Sequence, residues 1–195
     1  MGTVYRKRLR HFDLPGHCHE LTFSCFQRRP LLTNDLWRLM LSRAIDAATE
    51  HHGFRLFGFV YMPEHVHLLV WPENQLSRVS GLLKGIKQPF SFRIKTLLGQ
   101  EHSPLLEGLV VQERPGKRVF RYWQEGAGYD RNLISAESTM ASLAYLHLNP
   151  VRPRLVSRDA DWRWSSSRFY RDGRNDDPDL PKLQPLPSEF WDMPI

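Results

Sequence analysis

The order of apolar and polar positions predicts most of the elements before any chemistry is considered. His19 to Phe26 reads His-Glu-Leu-Thr-Phe-Ser-Cys-Phe, rich in β-forming residues, and predicts a strand. Leu36, Leu39, Met40, Ala44 and Ala47 then recur at helical spacing, with Asn34 or Asp35 as a cap and Gly53 as a stop, so a helix is expected to about His52. Phe54 to Tyr61 predicts a second strand, Met62-Pro63-Glu64 a tight connection, and His65 to Trp71 (HVHLLVW) a third strand antiparallel to the second. Ser77 to about Leu98 predicts a second helix with Leu82, Leu83 and Ile86 on its buried face, and Pro89 is expected to kink or split it. Residues 99–118 are polar and read as a loop, Val119 to Trp123 as a fourth strand, and Gly126-Ala127-Gly128 as a flexible joint. A third helix is expected from about Ser138 to His147, ended by Asn149-Pro150.

That order predicts an α+β fold: a ferredoxin-like antiparallel sheet with helices on one face, plus a C-terminal helix. Three regions are expected: a basic arm over residues 1–16, a globular domain over 17–150, and an extension over 151–195. The extension carries Trp162, Trp164, Phe169 and Tyr170 among arginines before turning acidic and proline-rich. The two tryptophans read first as packing residues and second as surfaces on which bases could stack.

Composition narrows the class. Hydrophobic residues make up 41% of the 195, ample for a core. No stretch approaches the roughly 20 apolar residues of a membrane span, so no membrane partner is expected. The N-terminal MGTVYRKRLR has no apolar run behind it, and no secretory signal is expected. Cys18 and Cys25 are the only cysteines, which fits a reducing compartment, and the cytoplasm is the simplest location. The net charge of +6 is uneven. From Asp172 onward there are six acidic residues and two basic ones, so residues 1–171 carry a surplus of +10. Such a surplus suits a polyanion such as nucleic acid, or simply a well-solvated surface. Arg6, Lys7, Arg8 and Arg10 of the arm, with Lys84, Lys87, Arg118, Arg121, Arg152 and Arg154, are the candidate phosphate contacts.

Two residues stand out chemically within the third strand. His65 and His67 flank Val66, so alternation turns both imidazoles to one face, where they can bind one metal ion. Two polar positions on a half-exposed strand would look the same. A rival cluster, His17 and His19 with Cys18 and Cys25, matches no zinc spacing, and Cys18 should point away from both histidines. Tyr129 follows the glycine joint and could be held against a site built elsewhere, or be an exposed loop residue; Asn132 would share its face if the stretch is helical.

Taken together, four segments resemble the single-tyrosine HUH transposases of bacterial insertion sequences, specifically the REP-associated tyrosine transposase branch. They are Met62-Pro63-Glu64-His65-Val66-His67-Leu68-Leu69-Val70, Trp123-Gln124-Glu125-Gly126-Ala127-Gly128-Tyr129-Asp130-Arg131-Asn132, Tyr145-Leu146-His147-Leu148-Asn149-Pro150-Val151-Arg152, and Asp161-Trp162-Arg163-Trp164-Ser165-Ser166-Ser167. In order and spacing they cover roughly residues 17–170. The resemblance implies a metal-dependent endonuclease and strand transferase acting on single-stranded or hairpin DNA through a 5′-phosphotyrosine. It implies Tyr129 as nucleophile, with His65 and His67 holding Mg²⁺ or Mn²⁺. In relatives a polar side chain about one helical turn after the tyrosine is the third ligand; position 133 is Leu133, so Asn132 is the candidate. Glu64 stands where family members have Asn. A free tyrosine has a pKa near 10 and needs activation to attack at neutral pH.

Other classes stay in view. A domesticated, non-cleaving DNA hairpin-binding protein would keep the fold and lose the chemistry. An RNA-binding ferredoxin-like domain would not need two histidines beside a tyrosine. A zinc hydrolase would need a third strong ligand and a general base. A monomer and a homodimer are equally compatible with the sequence.

Overall fold

A computed structural model describes residues 17–126, 128–174, 176–185 and 187–191. The basic arm, with Arg6, Lys7, Arg8 and Arg10, lies outside the described residues.

The central sheet has four antiparallel strands: β1 (Cys18–Ser24), β2 (Phe54–Tyr61), β3 (His65–Pro72) and, at its far edge, β6 (Tyr129–Leu133). Their spatial order is β2-β3-β1-β6. With α1 (Asp35–His52) between β1 and β2, and α2 (Val79–Gln100) following β3, this is the expected ferredoxin-like arrangement. The Asn34 side chain caps α1 by accepting from the Trp37 N–H, and Gly53 ends it in the left-handed region at φ 65°. The buried stripe of α1 runs through Leu41, Ile45 and Ala48, while Leu36 and Ala47 are exposed. The expected stripe was therefore rotated about the helix axis. Arg38, Ser42 and Thr49 share the buried face, and these polar residues blur the apolar period. Pro89 does not interrupt α2. It is exposed, and the buried residues Leu82, Leu83 and Ile86 before it and Phe90, Ile94 and Leu98 after it hold the helix in place.

The sheet separates two cores. On one face, Leu21, Phe23, Leu56, Phe59, Val66, Leu68 and Val70 pack against α1 and α2. On the other, Cys18, Phe57, Val60, Leu69 and Trp71 meet Leu143 and Leu146 of a helix on the opposite side. A bulge between Leu56 and Gly58 in β2 lets Phe57 and Phe59, two residues apart, face different cores. The C-terminal helix, α4 (Ala136–His147), thus covers the face that α1 and α2 leave open, and the helices lie on both faces.

Residues 99–118, expected as a loop, contain α3 (Pro104–Gly108) and β4 (Val110–Arg114). β4 pairs with β5 (Lys117–Phe120) in a separate two-stranded sheet, so the expected fourth strand at Val119–Trp123 lies mostly outside the main sheet. The fourth strand there is β6. As an edge strand it has one paired side, and only Leu133 is buried, so its polar sequence hid it.

After α4 the chain returns along the outer edge of β2. The Tyr61 N–H donates to the Trp164 carbonyl (2.9 Å) and the Ser166 N–H to that of Phe59 (3.0 Å), so the edge is covered. Trp164 is buried and its indole N–H donates to Asp35 (2.9 Å); that of Trp162 donates to the Tyr61 carbonyl (3.0 Å). Both tryptophans therefore pack the extension against the domain. α5 (Ser167–Asp172) follows.

Candidate active site

His65 and His67 share the α4 face of β3, with ring centroids 4.8 Å apart. Each is anchored through Nδ1: that of His65 lies 2.9 Å from the Glu64 carboxylate, that of His67 2.8 Å from the Thr22 hydroxyl on β1. A carboxylate is acceptor-only, so His65 donates from Nδ1 and keeps its lone pair on Nε2. This is the outer-shell pattern that orients imidazole ligands toward a metal. Burial lowers both pKa values, that of His67 to about 3, so both rings are neutral near pH 7. Neutral imidazoles are the form that ligates metal.

The neighbouring strands decide which other residues reach that face. Thr22 stands opposite His67 on one side and Tyr129 on the other, so Tyr129 shares the histidine face two strands away. It is 50% exposed. Asn132 lies opposite His19 and is on the other face, its side chain beside His17 (3.5 Å). The structure therefore does not bring Asn132 to the histidines. The premise of a helix fails because residues 129–133 are extended, and a strand turns positions three apart to opposite faces.

The side chain that does reach both histidines is Asn149, which interacts with each ring. Its Nδ2 donates to the carbonyls of Tyr145 (3.2 Å) and Leu146 (3.3 Å), closing the end of α4 and leaving Oδ1 as the acceptor end. Tyr145 stands one turn earlier on α4, 45% exposed, with the Arg152 guanidinium 4.0 Å above its ring. The i, i+4 spacing of Tyr145 and Asn149 was visible in sequence, but Asn149-Pro150 read as a helix stop only. Tyr129 and Tyr145 both line a cleft that contains His67.

Arg28 also bears on the site. Its guanidinium lies 4.0 Å from Glu64, and its charge further lowers the proton affinity of both histidines. Gln27 and Arg28 adopt φ values of 54° and 53°, left-handed backbone that costs non-glycine residues on the order of 1–3 kcal/mol. No sequence signal pointed to Arg28.

Two nitrogen donors and an amide oxygen suit a divalent cation and leave positions open for phosphate oxygens. Among the described residues no three His, Cys, Asp or Glu side chains form a group that could hold a metal ion. The rival group does not assemble: Cys18 packs with Leu133 and Leu143, while His19, on the other face, bonds Asp130 (2.9 Å). Both cysteines are free, buried, and have thiol pKa values raised to about 12 by burial.

Of the candidate phosphate contacts among the described residues, Arg152 lies over the Tyr145 ring. Lys84 and Arg154 are exposed. Arg118 pairs with Glu107 (2.6 Å), and Arg121 with Glu125 (2.7 Å) and Glu113 (3.3 Å), so much of their charge is already matched. Lys87 donates to the Gly126 carbonyl (3.2 Å) over the Phe23 ring, and burial lowers its pKa to about 8.

Residues 16–108 match the family of IS200-like transposases. No curated protein sequence matches the chain. The structure is similar to that of a REP-associated tyrosine transposase bound to a REP hairpin: TM-score 0.66, 20% identity, covering 94% of this chain and 96% of that one. A candidate transposase from Deinococcus radiodurans gives a TM-score of 0.42 at 18% identity, covering 74% and 92%. No helix among the described residues is long and apolar enough to cross a membrane. The chain thus resembles the IS200-like transposases in sequence over residues 16–108 and shares, over nearly its whole length, the fold of a REP-associated tyrosine transposase.

Proposed function

We propose that the chain is a DNA-nicking and -joining enzyme of the single-tyrosine transposase kind, acting on single-stranded, hairpin-bearing DNA, with Tyr145 as nucleophile. The observation that carries this reading is the convergence of His65 and His67 on Asn149, one turn after Tyr145. The same pairing of a tyrosine with a polar residue one turn later is absent around Tyr129, whose strand turns Asn132 away. His65, His67 and Asn149 would hold Mg²⁺ or Mn²⁺, which when bound polarises the scissile phosphate.

The chain's own groups do the rest. Arg152, over the Tyr145 ring, and Arg28, beside Glu64, would hold phosphate oxygens. The Tyr145 hydroxyl oxygen attacks phosphorus in line and gives up its proton. The bond from phosphorus to the leaving 3′ oxygen breaks, and that oxygen takes a proton. The products are a 5′-phosphotyrosine and a free 3′-OH, and no water is consumed. Attack by another 3′-OH reverses the step and joins strands, restoring the tyrosine. Glu64 keeps His65 in the Nε2 lone-pair tautomer, as an amide at that position would with less charge.

The test is incubation with labelled hairpin DNA carrying unpaired flanks, with Mn²⁺ or with chelator. A covalent protein–DNA band that requires the metal supports the reading. Tight hairpin binding with no band under any metal would overturn it in favour of a non-cleaving binder.

A further inference from the structure

Past His67, the same face of the sheet opens into a cleft of about 490 Å³ between β1, β6 and α4. His67 and Tyr145 line it, together with, among others, Glu20 of β1, Tyr129 and Arg131 of β6, and Ser142 of α4. The volume is on the scale of a small-ligand site.

Two polar groups in this cleft have little to bond. The Glu20 side chain is only 9% exposed, and no hydrogen bond to it is found among the described residues; the Arg131 guanidinium stands 4.0 Å away. The Ser142 hydroxyl is buried without a partner among the described residues. Burying a carboxylate or a hydroxyl without a partner costs folding energy, and such groups in a cleft commonly await a ligand. Glu20 is not placed to share the cation. It lies opposite Leu69, two residues along β1 from Thr22, which faces His67. Two strand residues span roughly 6.6 Å.

The contents of the cleft indicate the ligand. One wall is a half-exposed aromatic ring, Tyr129, in a strongly basic chain. The floor is an acceptor-only carboxylate with a cation beside it. A flat group with amino donors on its edge suits both. We propose that this cleft takes one unstacked nucleobase next to the phosphate held at Tyr145, stacked on Tyr129, with Glu20 accepting from its exocyclic amino group. The position next to that phosphate rests on the function proposed above. Adenine, cytosine and guanine carry such an amino group; at the exocyclic position thymine and uracil present a carbonyl oxygen instead, which a carboxylate repels. Arg131 is half exposed and free to move toward a ring nitrogen or carbonyl of the base. The site therefore selects bases by their amino edge, and Glu20 is the selecting residue.

The test measures binding without chemistry. Fluorescein-labelled hairpins with unpaired tails of deoxycytidine or deoxyuridine are titrated by anisotropy in chelator. The two bases differ at the amino-to-carbonyl edge that Glu20 would read. The wild-type chain should bind the deoxycytidine hairpin about tenfold more tightly, the scale of one good base contact. Glu20→Gln, whose amide both donates and accepts, should bring the two within about twofold. Tyr129→Ala, at a surface position that leaves the core intact, should weaken both by about tenfold. Equal wild-type affinities, or a preference unchanged in Glu20→Gln, would overturn the proposal. A preference that follows Glu20 in a chain that never forms a covalent adduct would overturn the enzyme reading and leave the base site standing.

Discussion

Replacing Thr22 by Val tests whether the histidine pair is a metal site through a residue that would never touch the metal. Valine matches threonine in shape and removes only the hydroxyl that meets the His67 Nδ1 at 2.8 Å. If His67 held a metal, Nε2 would carry the ligating lone pair, so Nδ1 would carry the proton and donate it to Thr22. Without the hydroxyl, His67 has two options in a site where it is only 7% exposed. It keeps the proton on Nδ1 as an unpaired buried donor, at about 1–3 kcal/mol, or it moves the proton to Nε2 and ceases to be a ligand. The smaller of these costs sets the loss, so metal affinity should fall about 10- to 100-fold, the range found when such outer-shell partners are removed. The assay is adduct formation against Mn²⁺ concentration, paired with thermal melting across the same Mn²⁺ series, which reads binding without chemistry. The Thr22→Val midpoint should move to higher Mn²⁺ in both, with activity recovered at saturation. A midpoint unchanged in both readouts would refute the assignment of Nε2 as ligand atom.

Asn149→Ala should lower adduct formation at limiting Mn²⁺ by at least about tenfold, whereas Asn132→Ala should leave the Mn²⁺ midpoint in place; the reverse result in the same titration would return Asn132 to the ligand set. Gly128 has φ 83°, and a Cβ there would stand 2.1 Å from the Thr22 carbonyl, so Gly128→Ala should cost about 2–4 kcal/mol and lower the melting temperature by roughly 5–15 °C in calorimetry. Acid should destabilise the metal-free fold. Burial depresses His67 to about 3 and His147 to about 4, below the unfolded value near 6.5. The unfolded chain thus binds more protons, and the contribution, complete above about pH 6.5, is lost as pH falls from there toward 4 and 3. Melting temperatures in chelator from pH 7.5 to 4.5 check this, and a flat profile would contradict the buried neutral state.

Different parts of this picture were legible in sequence for different physical reasons. The pairing of His65 with His67 was readable because alternation along a strand follows from backbone geometry and needs no tertiary information. The β1-α1-β2-β3-α2 order was readable because its apolar periods are long. β6 was not: an edge strand of five residues with one buried side chain has too little apolar content to announce itself, and Tyr129 with Asn132 was read as loop or helix. Asn149 shows a different limit. Asn before Pro is a sound signal for a helix end, and the residue does close α4. That its other end reaches two histidines depends on α4 lying across the sheet, which Gly58 permits: a Cβ there would come within 2.8 Å of Leu143 Cδ1 and 3.2 Å of Leu69. Charge surplus was also a partial guide, since Arg118 and Arg121 looked available until their glutamate partners came into view.

In the proposed reaction Tyr145, not Tyr129, forms the bond to DNA. The most direct measurement is mass spectrometry of the covalent adduct after proteolysis, locating the nucleotide on one tyrosine. The modification should lie on Tyr145, be absent in Tyr145→Phe, and an adduct should still form in Tyr129→Phe. A nucleotide found on Tyr129, with Tyr145→Phe still forming the adduct, would contradict it.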